Sequence, residues 1–531
     1  MRSLSHWLNN TPTARWGIVL FLFTMALYFA GIEARSLHIG QETRNAGIAA
    51  ELTFSRYWTV PRLNGEYYTV TPPLYYWLTG GSMELFGRTL FGAKLPAVLF
   101  GVCAVMGVFL FGRRLNFPPW ACFIGGAALA TTFNGFSLSR GCFPETLQMA
   151  LIVWALYGYH AMIHAERLRR RIHWFIVYAA LMMLLGLTAE FRVLIAPAVI
   201  LSSWLAVCNL VCGKYRSPVW YAAAAGGSIL SCMTALIWLL SVEKLGPEAT
   251  DCWRNFFEFR PHPSMNLIYA ASFFSPWGIL PLLGIIFSIL ALNKQPAEGE
   301  RDFLLFAFLL GSLILGIPGG AYAAAGLLTM TAIDRLIASD EIRRILQSRP
   351  LQIVALVFYG IFTLGGLALI AAIVATTPPT EAPSTWALIW SPLLFLCTIV
   401  LLLRRNLRKW TILPLIAGFL LIFDTYVKPS PADALFGIAA QQLAENADTD
   451  VYLYRIFDEG VRGAIPYHLG RRAMILNDEA ELKLLSKRGV PILFFSNETP
   501  PGGSQTLSAA DKRGGVPGLY QINPKNMRGG L

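Results

Sequence analysis

The chain has 531 residues, of which 55% are hydrophobic and only 14% charged, and it carries a formal net charge of +12. Soluble domains carry about a quarter charged residues, so this chain cannot clothe a water-exposed surface of its size, and bilayer must cover much of it. That excludes a soluble enzyme, a disordered chain and a disulfide-rich secreted scaffold.

A spanning helix needs about 20 mostly apolar residues. In chain order the sequence predicts thirteen such segments: 16–32, 93–112, 117–135, 145–163, 173–188, 192–212, 218–242, 267–292, 303–316, 319–333, 351–375, 385–403 and 410–426. The pair 303–316 and 319–333 flanks Pro318, Gly319 and Gly320, and reads either as two spans or as one broken hairpin. The first segment lacks a small-x-small cleavage site before Glu33, so it reads as an uncleaved anchor.

Charge tests this topology. With the N-terminus in the cytoplasm, the inner loops collect Arg113 and Arg114, Arg167 to Arg171, Lys214 and Arg216, Arg343 and Arg344, and Arg404 to Lys409. About twenty cations then lie inside and about five in the short outer loops, as the positive-inside rule requires. The basic balance is therefore orientation and not nucleic-acid binding. The expected fold is mostly α, a polytopic membrane domain over 1–426 with long outer loops 33–92 and 243–266. Residues 427–531 form a soluble α/β domain on the outer side. Its helix-like stretches are Asp433–Ala447, Glu459–Leu469 and Asp478–Lys487, its strand-like runs Val451–Ile456, Arg472–Leu476 and Pro491–Phe495, and 498–517 reads as a mobile loop.

The first outer loop predicts a surface-lying helix over 41–56, a tight turn at Asn64-Gly65 and an aromatic helix opened by Pro72-Pro73. Glu42 sits in the first turn of one helix, and Glu145 follows Pro144 at the start of the fourth span. Each complements a helix dipole. Both also stand on the outer face, where an acid is costly unless paired or used. Arg44, Arg62, Arg140, Arg192, Arg254 and Arg260 face the same side, and guanidinium forks suit phosphate. For Arg192, local pairing with Glu190 is the stronger reading. His262 lies between prolines in the second outer loop, a weak signal for a metal. Tyr57, Trp58, Tyr67, Tyr68, Tyr75, Tyr76 and Trp77 suit sugar stacking or an interfacial aromatic belt. Cys208 and Cys212 lie four apart, but neighbouring sequence offers no His or acid to complete a metal site. Cys142 and Cys252 fall in outer loops, where a disulfide is open to them.

The stretch QETRNAGIAAEL…WTVPRLNGEYYTVTPPLYYWL resembles the first outer loop of the GT-C membrane glycosyltransferases, of the type that includes lipid A aminoarabinose transferase and protein O-mannosyltransferases. PETL at 144–147, LTAEFRVLIAP at 187–197, RPHP at 260–263 and SPWGILP at 275–281 are similar to further landmarks of that group. The resemblance implies transfer of a sugar from a polyprenyl phosphate to a lipid A, glycan or protein acceptor on the outer face of a bacterial inner membrane. It implies Glu42 and Glu145 as catalytic carboxylates, and Arg44, Arg62, Tyr68, Arg140, Arg260 and His262 as donor or substrate contacts. No cofactor is required by the sequence, although the group admits a divalent metal. The chain departs from the pattern at Gln41, where the group has Asp, at Asn45, at Val70 and Thr71, where it often has Glu-Lys, and at Glu190. Those departures set two rivals beside a transferase: a non-catalytic relative that binds lipid-linked sugar or a partner, and a sugar-lipid transporter. Inverted repeats and mid-span charges, which a transporter would favour, are not evident in the sequence.

Overall fold

The computed structural model describes residues 13–246, 251–257, 276–294, 299–338, 348–376, 385–404, 411–426, 431–445, 449–478, 481, 484–485, 492–497, 505–508 and 517–522. Helix α1 (Thr13–Phe29) leads into the long loop, which folds as α2 (Gln41–Ser55), a hairpin of β1 (Arg62–Leu63) and β2 (Glu66–Tyr67), and α3 (Leu74–Phe86). The bundle continues with α4 (Leu90–Arg114), α5 (Pro119–Thr131), α6 (Phe133–Arg140), α7 (Glu145–Ile163), α8 (Leu168–Gly186), α9 (Phe191–Cys212) and α10 (Pro218–Glu243). After the short α11 (Cys252–Phe257) come α12 (Ile279–Lys294), α13 (Glu300–Ile314), α14 (Pro318–Ala338), α15 (Arg349–Thr376), α16 (Thr385–Leu403) and α17 (Ile412–Tyr426).

Every predicted apolar segment overlaps one of these helices. Among the described residues, α4, α7, α9, α10 and α14 are each long and apolar enough to cross a membrane, and α5 with α6 adds a sixth candidate. That sixth is not the straight span 117–135 expected from hydropathy, because it bends by 65°. Thr132 causes the break: its backbone is extended and its hydroxyl accepts a hydrogen bond from Gly135 N–H, so it caps a new helix. Helices approach closely where side chains vanish. A Cβ on Gly125 would collide with the Gly326 carbonyl and Met330 across the α5–α14 contact. The segments 303–316 and 319–333 resolve as two packed helices, α13 and α14.

The tail contributes α18 (Pro431–Glu445), β3 (Asp450–Tyr454), α19 (Glu459–Leu469), β4 (Met474–Leu476), β5 (Ile492–Ser496), β6 (Gln505–Ser508) and β7 (Gly518–Ile522). The sheet order is β4-β3-β5-β7-β6, with β3 parallel to β4 and β5 and the β5–β7 and β7–β6 pairs antiparallel. Alternation divides β3. Val451 and Leu453 face a core with Leu435, Phe436 and Ile465, while Tyr452 and Tyr454 face Phe494 and Tyr520. Residues 505–508, expected within a mobile loop, instead form the edge strand β6. Polar, turn-rich flanks hid that strand from the sequence reading.

The tail is tied to the loop through backbone contact. A Cβ on Gly47 of α2 would run into the Gly463 backbone of α19, and one on Gly463 into the Arg44 backbone. Gly460 meets Gly40 in the same way, and Gly40 has φ 132°, a conformation that favours glycine. Thr43 Oγ1 donates to the Gly460 carbonyl at 2.8 Å. The Asn64-Gly65 turn, with φ of 54° and 96°, has the positive values of a type I′ hairpin. Its Asn64 side chain exchanges two hydrogen bonds with Ala473, at 2.6 and 2.8 Å. Arg472 pairs with the buried Glu51 at 2.7 Å, and Arg462 with Glu66 at 2.6 Å. Gly463→Val is therefore expected to pry α19 from α2 while leaving the bundle assembled. Limited proteolysis should then cut the tail faster than in the parent chain; equal cleavage would show that the close approach is not what holds the tail.

Candidate active site

Glu42 is 2% exposed. Both of its oxygens are claimed: Arg35 donates to Oε1 at 2.6 Å and to Oε2 at 2.8 Å, and His38 N–H donates to Oε2 at 2.8 Å. Lys94, 1% exposed on α4, donates to the carbonyls of Ile32 and Arg35 and so braces this corner. Burial alone would raise the Glu42 carboxyl, but the Arg35 hydrogen bonds and charge, the His38 N–H and Lys94 together hold it below the usual carboxylate range. A carboxylate so saturated is a poor proton acceptor. The expectation that Glu42 takes a proton is corrected on that ground: its geometry is that of a fixed anion. Gln41, at the position where the resembling group has Asp, is exposed at the same helix start.

Glu145 is placed differently. It is the first residue of α7, behind Pro144, and its Oε2 is shielded from solvent with no hydrogen-bond partner among the described residues. Arg44 and Glu190 are the charged groups that act on it. The two acids flank one turn, since Glu42 Oε1 lies against Gly141, and both act on Cys142.

A polar and aromatic wall surrounds that turn. Asn45 Nδ2 donates to the Cys142 carbonyl at 2.8 Å. Tyr75 Oη donates to Cys142 Sγ at 3.5 Å, and Thr71 Oγ1 and Tyr76 Oη share a hydrogen bond at 2.9 Å. Tyr68 meets Tyr76 edge-on at 6.1 Å, and the Arg44 guanidinium lies 5.7 Å from the Tyr68 ring centre. Burial pushes the Tyr76 hydroxyl up to about 12 and Tyr68 well above its ordinary value, so both stay neutral donors at neutral pH. Arg44 also pairs with Glu459 of α19 at 3.0 Å, which brings the tail to the edge of the site. Glu42, Arg44, Tyr68 and Glu145 are thus gathered in one place.

Arg140 and Arg62 are not free for a phosphate. Arg140 is 2% exposed and donates to the carbonyls of Leu27, Tyr28, Ala30 and Gly31, at 3.2, 2.9, 2.6 and 3.0 Å. It caps the C-terminal end of α1, whose last carbonyls have no helical partner. The donor-contact expectation for Arg140 is corrected accordingly. Arg140→Met should orphan those carbonyls and cost on the order of 3 kcal/mol or more. The expected result is a lower thermal midpoint in detergent, and an unchanged midpoint would remove this role. Arg62 is held by the tyrosine rings of its own loop, 4.4 Å from Tyr57 and 4.7 Å from Tyr67, and hydrogen-bonds Tyr67 Oη at 3.2 Å. Arg260 and His262 lie outside the described residues. Glu190 pairs with Arg192 at 2.9 Å, as sequence proximity predicts. Cys142 and Cys252 are both free thiols, so the disulfide open to them in sequence is not formed.

Sequence reasoning missed Arg35, Lys94 and Glu459 as parts of this corner. Lys94 could have been noticed as a cation inside an apolar run. Glu459 carried no signal, because its approach depends on how the tail docks. Among the described residues no three His, Cys, Asp or Glu side chains converge here to hold a metal.

A bundle of apolar helices, roofed by an amphipathic loop that places two carboxylates and an arginine beside a docked α/β tail, defines a membrane protein with a polar site at one end. Residues 70–238 match the family described as dolichyl-phosphate-mannose-protein mannosyltransferase. An undecaprenyl phosphate-alpha-4-amino-4-deoxy-L-arabinose arabinosyl transferase of Pseudomonas fluorescens is 26% identical over 77% of this chain and 75% of its own length. Another from Proteus mirabilis is 24% identical over 59% of this chain and 57% of its own, so the match spans less than two thirds of that relative. The crystal structure of ArnT from Cupriavidus metallidurans bound to undecaprenyl phosphate superposes with a TM-score of 0.70 at 18% identity, covering 97% of this chain and 99% of that one. The chain thus has the fold of that ArnT structure, and its sequence is similar to the aminoarabinose transferases and, over 70–238, to the protein-mannosyltransferase family.

Proposed function

We propose that this protein moves a sugar from a polyprenyl-phosphate donor to an acceptor in the cell envelope, at the non-cytosolic face of the inner membrane. The observation that carries the reading is Glu145: an enclosed carboxylate with an unclaimed oxygen, set beside Arg44 and the Tyr68–Tyr76 pair. An acceptor hydroxyl attacks the anomeric carbon and Glu145 takes its proton. Negative charge grows on the departing phosphate, where Arg44 and the neutral tyrosine hydroxyls supply a cation and donors. Glu42, pinned by Arg35, stays anionic and fixes the start of α2, so that Arg44, half a turn on, is aimed at the site.

The relatives' printed names support an undecaprenyl-phosphate donor and an aminoarabinose-type sugar, and the ArnT fold supports a lipid-linked substrate. An apolar groove of about 590 Å³, lined by Phe23, Ala30, Ala34, Trp390, Leu394 and Leu421, reaches the residue next to Arg35 in the chain and suits a lipid chain. Lipid A, another envelope glycan and a protein are the acceptors open to this chemistry. Mass spectrometry of lipid A, surface glycans and glycoproteins from a deletion strain tests the reading. One class should lose a sugar that the intact gene restores; no loss in any class would refute the proposal.

The non-catalytic alternative rests on Gln41, Val70 and Thr71. It predicts donor binding without release of polyprenyl phosphate, whereas the transferase reading predicts both.

A further inference from the structure

Near the far end of α7, about 22 Å along the helix from Glu145 at 1.5 Å per residue, a second cluster of chemistry-bearing side chains converges. His160 lies in the last turn of α7, His164 caps the end of that helix four residues on, and Glu300 opens α13. One potential ligand atom from each of the three lies within 4.8 Å of the others. We propose that they bind one divalent transition-metal ion of the zinc class, tying the end of α7 to the start of α13.

Hydrogen-bond polarity at His164 calls for a cation. Its Nδ1 lies 2.9 Å from the His160 carbonyl, which can only accept, so Nδ1 carries the proton. In a neutral ring Nε2 then bears a lone pair, yet it faces Glu300 Oε1 at 3.0 Å. Tyr215 does not relieve the clash, because its one proton goes to Glu300 Oε1 and its oxygen stands 3.0 Å from the same Nε2. A cation is needed between Nε2 and Oε1, and both a proton and a metal ion would meet that need. An Nδ1–H held by a carbonyl is also the arrangement that orients a histidine to ligate through Nε2.

His160 decides between proton and metal. The residue is 6% exposed, its Nδ1 is buried without a hydrogen-bond partner among the described residues, and its ring stacks on His164 with centroids 4.1 Å apart. A proton on His164 gives this second ring nothing to bind. A metal ion uses both rings, since two histidines four apart on one helix face present their nitrogens to one ion. The Nε2–Oε1 separation is close to that of two ligands of a tetrahedral ion with bonds of about 2.0–2.1 Å. Lys214 holds the other carboxylate oxygen at 2.7 Å and Tyr215 holds Oε1, the outer contacts that orient a ligating carboxylate. Cys208 and Cys212, left without company in the sequence, stand at the edge of the cluster, where Glu300 acts on Cys208.

The full chain, purified in detergent, is titrated with Zn²⁺ against a chromophoric chelator, and bound zinc is counted after gel filtration. The parent should retain one equivalent that His164→Asn and Glu300→Gln each lose, with thermal midpoints that report whether the variants still fold. His262→Asn is run beside them as a second locus. Zinc equivalents equal in the parent and both cluster variants would overturn the site. So would no retained zinc in the parent, or loss of the equivalent only on His262→Asn.

Discussion

Glu145→Gln is expected to lower transfer from a polyprenyl-phosphate sugar by roughly 10²–10⁴-fold, the range in which a positioned acid or base contributes. Glutamine keeps the size and one oxygen of the side chain, and the native Oε2 makes no hydrogen bond that the substitution would break. Folding should therefore survive, and the loss should fall on kcat rather than on donor affinity, because the proton moves only in the transition state. Glu42→Gln removes a charge that the protein has already spent on Arg35. It should weaken the corner and disturb donor binding through Arg44. A Glu42→Gln variant that loses all turnover while Glu145→Gln keeps it would return the base to Glu42.

Arg35→Met has the largest expected effect on stability. The Arg35–Glu42 pair is a bidentate bridge with side chains only 5% and 3% exposed. Removing one partner strands a buried charge, which costs about 3–5 kcal/mol in comparable pairs. Replacing both residues by Met should recover much of that loss, since a buried pair often contributes little over an apolar one. The pH dependence has a definite sign. Glu42 is held below its ordinary range in the fold, so its contribution is present above the unfolded carboxyl pKa and is lost as pH falls through the lower folded value. The parent should therefore lose loop protection in acid below the range where free carboxylates titrate. Arg35→Met should show no such step. Hydrogen exchange over residues 35–55 reads both outcomes.

Patterns with a local cause were legible in the sequence. The helix α2, the Asn64-Gly65 turn and the aromatic helix after Pro73 all follow from periodicity and turn chemistry, and the structure has each of them, although α2 is mostly buried. The positions of the apolar segments were likewise legible, because hydropathy alone sets them. What failed depended on partners outside the local pattern. Arg140 looked like an outer arginine awaiting an anion, but α1 lies against it and consumes its donors. Glu42 looked like a free acid because nothing in QETR tells that Arg35 folds back onto it. Cys208 and Cys212 looked alone because His160, His164 and Glu300 come from two other helices. Strand β6 was missed because its pairing with β7 provides the order its composition withholds.

The most direct test is donor cleavage by the intact protein. Purified chain in detergent is offered labelled polyprenyl-phosphate sugars, the aminoarabinose donor among them, together with extracted envelope lipid. Release of free polyprenyl phosphate is followed alongside appearance of label in the acceptor. Both should appear together, in equal amounts, and fail together in Glu145→Gln. Tight donor binding with no polyprenyl phosphate released from any donor would contradict it and mark the chain as a binding relative.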